Sequence, residues 1–156
     1  MNLEFPDNEF DVVVCTHIYE HVPDAHEMTR EIFRVLKPGG ICYFAAGNRL
    51  SIMEPHYKLP FLSILPRPLA HLYMKIAGKG SHYHEKHLML PGLRTLVSPF
   101  VVHDYTKRII EDPKKFSAEY MLKPGSIKHH TAKLIANYVY WLCPSYIWIL
   151  QKPDSN

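Results

Sequence analysis

The sequence predicts an α/β fold organised on a parallel sheet, and three observations predict it. Phe10-Asp11-Val12-Val13-Val14-Cys15 is a β-branched, apolar run of the kind found in strands covered on both faces. Ala25, Met28, Ile32, Val35 and Leu36 then recur at helical spacing. A second apolar run, Ile41 to Ala46, follows. Strand, helix and strand within this length make a βαβ unit. Open α/β sheets bind ligands beyond the carboxyl ends of their strands. Those ends carry Cys15, Thr16 and His17 on the first strand and Gly47, Asn48 and Arg49 on the second.

Taken in order, Pro6-Asp7-Asn8 is a turn, because Pro presets φ and Asp and Asn bond their own backbone. Phe10 to Cys15 is the first strand, and Thr16 to Val22 a loop or short turn. Asp24 caps the helix, with Glu27 three residues on as in a capping box. Glu27, Arg30, Glu31 and Arg34 form its charged outer face, and Lys37-Pro38-Gly39-Gly40 stops it. From Gly47 to about His87 the pattern changes. Prolines 55, 60, 66 and 68 break it up, and Leu65, Leu69, Leu72, Tyr73 and Ile76 mark one amphipathic helix closed by Gly78. A segment this long inside a domain reads as a lid or binding element, with 50–88 as its bounds. Leu90 to Val97 is a short helix with Pro91 in its first turn, and Phe100 to Tyr105 a third strand. Glu111 to Gly125 is polar and turn-rich. Ser126 caps a longer helix whose apolar side is Ile127, Leu134, Ile135, Tyr138 and Leu142. Pro144 breaks it before a last strand, Tyr146 to Leu150.

Composition sets the class. The 156 residues are 47% hydrophobic and 21% charged, which suits one globular domain. No apolar run approaches the roughly 20 residues that span a bilayer. Met1-Asn2-Leu3-Glu4 lacks the basic and apolar regions of a signal peptide. Cys15, Cys42 and Cys143 are far apart, so buried reduced thiols in a cytoplasmic protein are expected. Net charge is +3, but residues 1–50 carry eight acids against four Lys/Arg, leaving a basic remainder. No Lys/Arg run exceeds two, so a solvated basic surface is expected and no clear nucleic-acid interface.

Three stretches carry a resemblance. They are Phe5-Pro6-Asp7-Asn8-Glu9-Phe10-Asp11-Val12-Val13, Glu20-His21-Val22-Pro23-Asp24, and Arg30-Glu31-Ile32-Phe33-Arg34-Val35-Leu36-Lys37-Pro38-Gly39-Gly40. In this order and spacing they resemble class I S-adenosylmethionine-dependent methyltransferases, in the branch with small-molecule, quinone and sterol enzymes. The match covers residues 3–50. The resemblance implies a Rossmann-like sheet whose last strand, Tyr146 to Leu150, enters antiparallel. It also implies strands and a glycine-rich cofactor turn that this sequence does not contain. The chain is therefore expected to be a single partial domain over 1–156, truncated at its first strands, that supplies the substrate-side half. Its first strand would then form an exposed apolar sheet edge, so self-association or poor solubility is expected.

The resemblance implies S-adenosylmethionine as cofactor, with Cys15 and Thr16 beside it. His17 is either the base that takes the acceptor's proton or a residue that shapes the pocket. Asn48, Arg49 and Tyr57 would border a small, apolar acceptor. An inactive interaction or regulatory module is the alternative. His17, Glu20 and His21 stand at i, i+3, i+4, which puts three metal-capable groups on one face of a helical turn. Some relatives have Glu-x-x-Glu-His here and bind a divalent cation; this chain has His in place of the first Glu. Capping and packing are the plainer roles, and no metal is expected. His82, His84 and His87 read as surface loop histidines, and His129-His130 as an exposed first helical turn. The basic amphipathic helix in the insertion would be buried on the sheet, with peripheral membrane contact as its other use.

Overall fold

The structure is a computed structural model, and it describes residues 2–154. Four strands form the main sheet: β1 (Phe10–Thr16), β2 (Leu36–Gly47), β5 (Val101–Asp104) and β6 (Ser145–Gln151). Two more, β3 (Met53–Glu54) and β4 (Leu59–Pro60), make a separate hairpin. The helices are α1 (Ala25–Val35), α2 (Arg67–Ile76), α3 (Leu90–Leu96), α4 (Thr106–Glu111) and α5 (Ile127–Tyr138). The main sheet runs β1-β2-β6-β5. β1 and β2 pair in parallel, as the βαβ reading requires, and β6 enters antiparallel to both β2 and β5. No helix among the described residues is long and apolar enough to cross a membrane.

Register decides the core. Phe44 on β2 is the cross-strand partner of Trp148 on β6, so both aromatic rings fall on one face and stack at 6.3 Å. Tyr146 stacks on Trp148 at 5.5 Å, two residues along the same face. Met28 and Ile32 of α1 and Leu93 and Leu96 of α3 close over this layer. Asp24 caps α1 by accepting from the His26 and Glu27 amides, as its position in the sequence implies. Cys15, Cys42 and Cys143 are buried and free.

Several expectations change. Lys37-Pro38-Gly39-Gly40 does not separate α1 from β2: the helix passes straight into the strand at Leu36, whose amide still reaches the Ile32 carbonyl. The register jumps from Phe10–Leu36 to Val12–Ile41, so the four residues bulge out of the ladder. Gly40 is required there, since a Cβ would sit 2.8 Å from the Lys37 carbonyl oxygen and 3.2 Å from that of Phe10. α4 fills the stretch between the third expected strand and the turn-rich segment that begins at Glu111.

The apolar stripes of two helices are only partly turned inward: Leu65, Tyr73 and Ile135 pack against the cores, and much of the rest does not. In α2 the buried residues are Ala70 and Met74, packed with Leu59, Leu62 and Tyr83 in a small second core, while Leu69, Leu72 and Ile76 are exposed. In α5, Ile127, Leu134 and Tyr138 are exposed, whereas His129 and Ala136 are buried; Leu142 belongs to a short 3-10 turn beyond the helix. His129 is no surface histidine: its Nε2 contacts the Ile110 carbonyl at 2.7 Å. Both helices are apolar on more than one face, so periodicity alone does not select the buried one. Contact with the neighbouring elements does.

β1 is an edge of the described sheet, with Val12 and Val14 (65%) exposed. The packing predicts a contrast between two leucines. Leu93→Ala opens a cavity in the main core and should cost about 2–5 kcal/mol in urea unfolding. Leu72→Ala, on the outward stripe of α2, should change stability by less than about 0.5 kcal/mol.

Candidate functional site

Four segments meet at the carboxyl ends of β1 and β2. The His17 amide donates to the Ala45 carbonyl at 2.8 Å, which carries the parallel ladder one residue past β1. His17 itself has φ +52°, a left-handed conformation uncommon for histidine, and it turns the chain out of the sheet. The Tyr19 hydroxyl then donates to the Gly47 carbonyl at 2.6 Å and accepts from the Leu88 amide at 3.0 Å. The Lys86 amide donates to the Glu20 carbonyl, and the Arg49 amide to that of Leu88. Residues 86–88 are thereby strapped between the turn after β1 and the end of β2. Gly47 leaves room for the strap: a Cβ there would lie 3.3 Å from the His87 ring.

The β3–β4 hairpin brings the fourth segment. Glu54 Oε2 accepts from the Tyr57 amide at 2.7 Å, and Lys58 takes φ +55° to close the turn. Glu54 Oε1 lies 2.7 Å from His56 Nδ1 and 3.6 Å from His87 Nε2. His56 Nε2 lies 3.1 Å from His21 Nε2. Histidines and carboxylates from three of these segments, the turn after β1, the hairpin and the strap, therefore share one neighbourhood beside the end of β2.

Its electrostatics follow from burial. Glu20 is 1% exposed, and neither carboxylate oxygen has a hydrogen-bond partner. His17 Nδ1 stands 3.6 Å from Glu20 Oε1, an ion-pair distance and too long for a hydrogen bond. Burial pushes the Glu20 carboxyl up, but His17, its own backbone amide and His87 outweigh that and hold it below the ordinary carboxylate value. The Glu20 contact raises His17 against the effect of partial burial. His87 goes the other way: burial lowers it in spite of Glu20 and Glu54. The result is a histidine near the solvent that holds its proton more firmly, backed by a buried anion, with a neutral histidine behind.

The residues singled out in the sequence separate by role. Cys15 points into the core, and burial followed by the charge of Glu20 pushes its thiol up to about 11, so only its backbone borders the strand end. Thr16 and His17 are exposed there. Asn48 is buried, and its amide nitrogen contacts the Trp141 and Cys143 carbonyls and the Tyr146 hydroxyl, while its oxygen accepts from the Leu50 amide. Its side chain is therefore occupied in tying β2 to the turn before β6, which corrects the expectation that it faces a substrate. Arg49 Nε donates to the Ser63 carbonyl. Tyr57 lies half-buried with its hydroxyl 3.3 Å from Glu85, and burial followed by that charge raises it.

His17, Glu20 and His21 do not form a converging set, because the turn sends the His21 ring to His56 while His17 stays with Glu20. His87 is not a surface histidine either; its side chain is 4% exposed. Glu54, His56 and His87 were not legible as a group, since about 30 residues separate the hairpin from the strap. The hairpin's Glu-Pro-His was the available local signal. Elsewhere, an apolar cavity of about 520 Å³ lies under α4 and α5, lined by Tyr43, Ile110, Phe116, Ile135 and Ile147. It shares no residue with the histidine-rich site.

The His17–Glu20 pair has a signed pH signature. The folded pKa of His17 is raised, so its stabilising contribution is complete below the unfolded value of about 6.5. That contribution is lost as pH rises through the folded value. His17→Asn tolerates the left-handed backbone. Urea unfolding of wild type and variant should differ more at pH 5.5 than at 8.5, by less than about 1 kcal/mol for a half-exposed pair.

Comparison with known proteins finds similarity over the first part of the chain. The model of the methyltransferase domain matches residues 1–44. The ubiquinone biosynthesis O-methyltransferase of Pseudomonas fluorescens is 36% identical over 83 residues, which are 53% of this chain and 32% of that protein. The demethylmenaquinone methyltransferase of Staphylococcus saprophyticus is 36% identical over 87 residues, covering 54% and 35%. The chain thus matches about a third of the length of these relatives. Among solved structures, a SAM-dependent methyltransferase from Methanosarcina mazei aligns with TM-score 0.51 and 17% identity over 99% of this chain and 64% of its own. One from Thermotoga maritima gives 0.51 and 16% over 97% and 60%. These structures share the fold, and over the first βαβ unit the sequence is similar to methyltransferase domains.

Proposed function

We propose that this chain takes part in methyl transfer from S-adenosylmethionine to a hydroxyl group of a small, apolar acceptor. One observation carries the reading: His17, exposed at the carboxyl end of β1, is backed by the buried Glu20 carboxylate. The quinone-pathway names of the sequence relatives support an oxygen acceptor on an apolar molecule. The exposed Thr16 and His17 fit one side of the cofactor, with Cys15 offering its backbone alone. When bound, S-adenosylmethionine supplies an electrophilic methyl group.

The chain's own residues would do the rest. The Glu20 charge, 3.6 Å from His17 Nδ1, would favour a proton there and leave Nε2 for the acceptor's proton. As the acceptor oxygen loses that proton, the imidazolium formed is stabilised by the anion behind it, as in other oriented base pairs. Arg49, whose Nε donates to the Ser63 carbonyl, and Tyr57, whose hydroxyl lies near Glu85, would orient the acceptor. The outward stripe Leu69, Leu72 and Ile76, beside Arg67, Lys75 and Lys79, supports peripheral contact with a lipid surface, from which an apolar acceptor would be drawn.

Methyl transfer from isotopically labelled S-adenosylmethionine to catechols of increasing alkyl length tests the proposal. His17→Asn should lower kcat about 10²–10⁴-fold with KM within a few-fold. An undiminished kcat would reduce His17 to a residue that shapes the pocket. The exposed Val12 and Val14 favour a second reading, in which the β1 edge pairs with another strand. Val14→Lys would then shift the species seen by light scattering towards monomer, whereas a protein already monomeric at high concentration rejects it.

A further inference from the structure

We propose that Glu54, His56 and His87 form a site for a divalent transition-metal ion, with Zn²⁺ the natural occupant, which pins the insertion to the ends of the sheet. The site goes beyond the methyl-transfer reading and does not depend on it. Its residues are distinct from the His17, Glu20 and His21 triplet.

The donor set comes first. One carboxylate oxygen and one nitrogen from each of two histidines lie within 4.8 Å of one another. Two imidazoles and a carboxylate are a borderline-soft set that suits Zn²⁺ and its neighbours and is poor for Mg²⁺. Bonds of about 2.0–2.2 Å to a tetrahedral ion place ligand atoms about 3.3 Å apart. The observed separations from Glu54 Oε1 are 2.7 Å to His56 Nδ1 and 3.6 Å to His87 Nε2. They straddle that value, so small side-chain rotations would seat the ion.

The surroundings match those of a metal ligand set. Glu54 is fully buried, and its second oxygen is already held by the Tyr57 amide, which leaves Oε1 directed at the histidines. His56 bonded through Nδ1 would keep Nε2 for His21, 3.1 Å away, and such outer contacts fix the ring and its tautomer. The three residues come from a hairpin and from the 86–88 strap, both fixed by backbone hydrogen bonds. A fourth position would remain for water or another ligand.

An independent observation points to a missing ligand. His87 has a side chain 4% exposed, and neither ring nitrogen has a hydrogen-bond partner. Beside it, Glu20 is buried with neither carboxylate oxygen hydrogen-bonded, Oε1 making only the 3.6 Å contact to His17. Buried polar groups are ordinarily satisfied, and one left unpaired costs about 1–3 kcal/mol. Two buried carboxylates, Glu20 and Glu54, flank the His87 ring. A divalent cation would bond His87 Nε2 and neutralise this charge at once, which a single proton cannot do.

The test uses the full chain, stripped with EDTA and dialysed. Zn²⁺ titrated by calorimetry should bind at one ion per chain with submicromolar Kd, and Co²⁺ should give a visible d–d band of a low-symmetry site. Mg²⁺ at millimolar concentration should neither bind comparably nor displace Zn²⁺. His56→Ala is the main variant, because this side chain is part-exposed and its loss should not unfold the chain. It should weaken Zn²⁺ binding at least tenfold and abolish the Co²⁺ band, and Glu54→Gln should do the same. The double variant His82→Ala/His84→Ala removes the exposed histidine pair and should leave the affinity unchanged. Three results would each overturn the site: no stoichiometric Zn²⁺ below about 100 μM, binding lost with His82 and His84 instead, or binding indifferent to both His56→Ala and Glu54→Gln.

Discussion

The Tyr19 hydroxyl is the contact on which the site depends. Buried under the strap, it donates to the Gly47 carbonyl at the end of β2 and accepts from the Leu88 amide. One oxygen thus joins the turn after β1, the last residue of β2 and the segment entering α3. Each partner is a backbone group of a half-buried residue. Burial raises the Tyr19 phenol, so the group stays protonated and the donor role is secure. With the strap fixed in this way, His87 is carried inside and faces Gly47, Glu20 and Glu54.

Burial of charge follows from that geometry. A carboxylate such as Glu20 is costly to bury alone, and its partners are histidines rather than Lys or Arg. Lysine or arginine would have made a permanent ion pair and an inert site. Histidines leave the charge state adjustable near neutral pH, which would suit the proton transfer proposed at His17. The same softness gives the nitrogen donors that a transition-metal ion takes. The proposed proton transfer at His17 and the proposed metal site at Glu54, His56 and His87 would therefore draw on one feature, buried carboxylates set beside imidazoles.

Much of the fold was legible because it rests on local pattern. The β-branched run of β1, the Asp24 cap, the stripe of α1, the Ser126 cap and the alternating aromatic strand β6 all appear as short-range signals. The inner faces of α2 and α5 were not legible. In α2, Leu69 and Leu72 make as good a stripe as Ala70 and Met74, and the choice was made by Leu62 and Tyr83, which the helix had to meet. The bulge at Lys37 to Gly40 was also hidden, because a Pro-Gly-Gly run reads as a turn until Lys152 is seen pairing across it.

For the candidate site, the sequence by itself determined which strand ends it borders. Strand ends at Thr16-His17 and Gly47-Asn48 follow from the order of strand, helix and strand, and the family motifs lie in that same βαβ unit. Only the tertiary structure decided which side chains arrive there. It brought Glu54, His56 and His87 to Glu20 across gaps of more than 30 residues, withdrew the Asn48 amide into the fold and turned the Cys15 thiol into the core. The reason is physical. Strands and helices are set by periodicity within a few residues, whereas a buried cluster of charges is set by which distant backbone groups must satisfy one another. Tyr19, Gly47 and Leu88 settle that here by sharing a single hydroxyl.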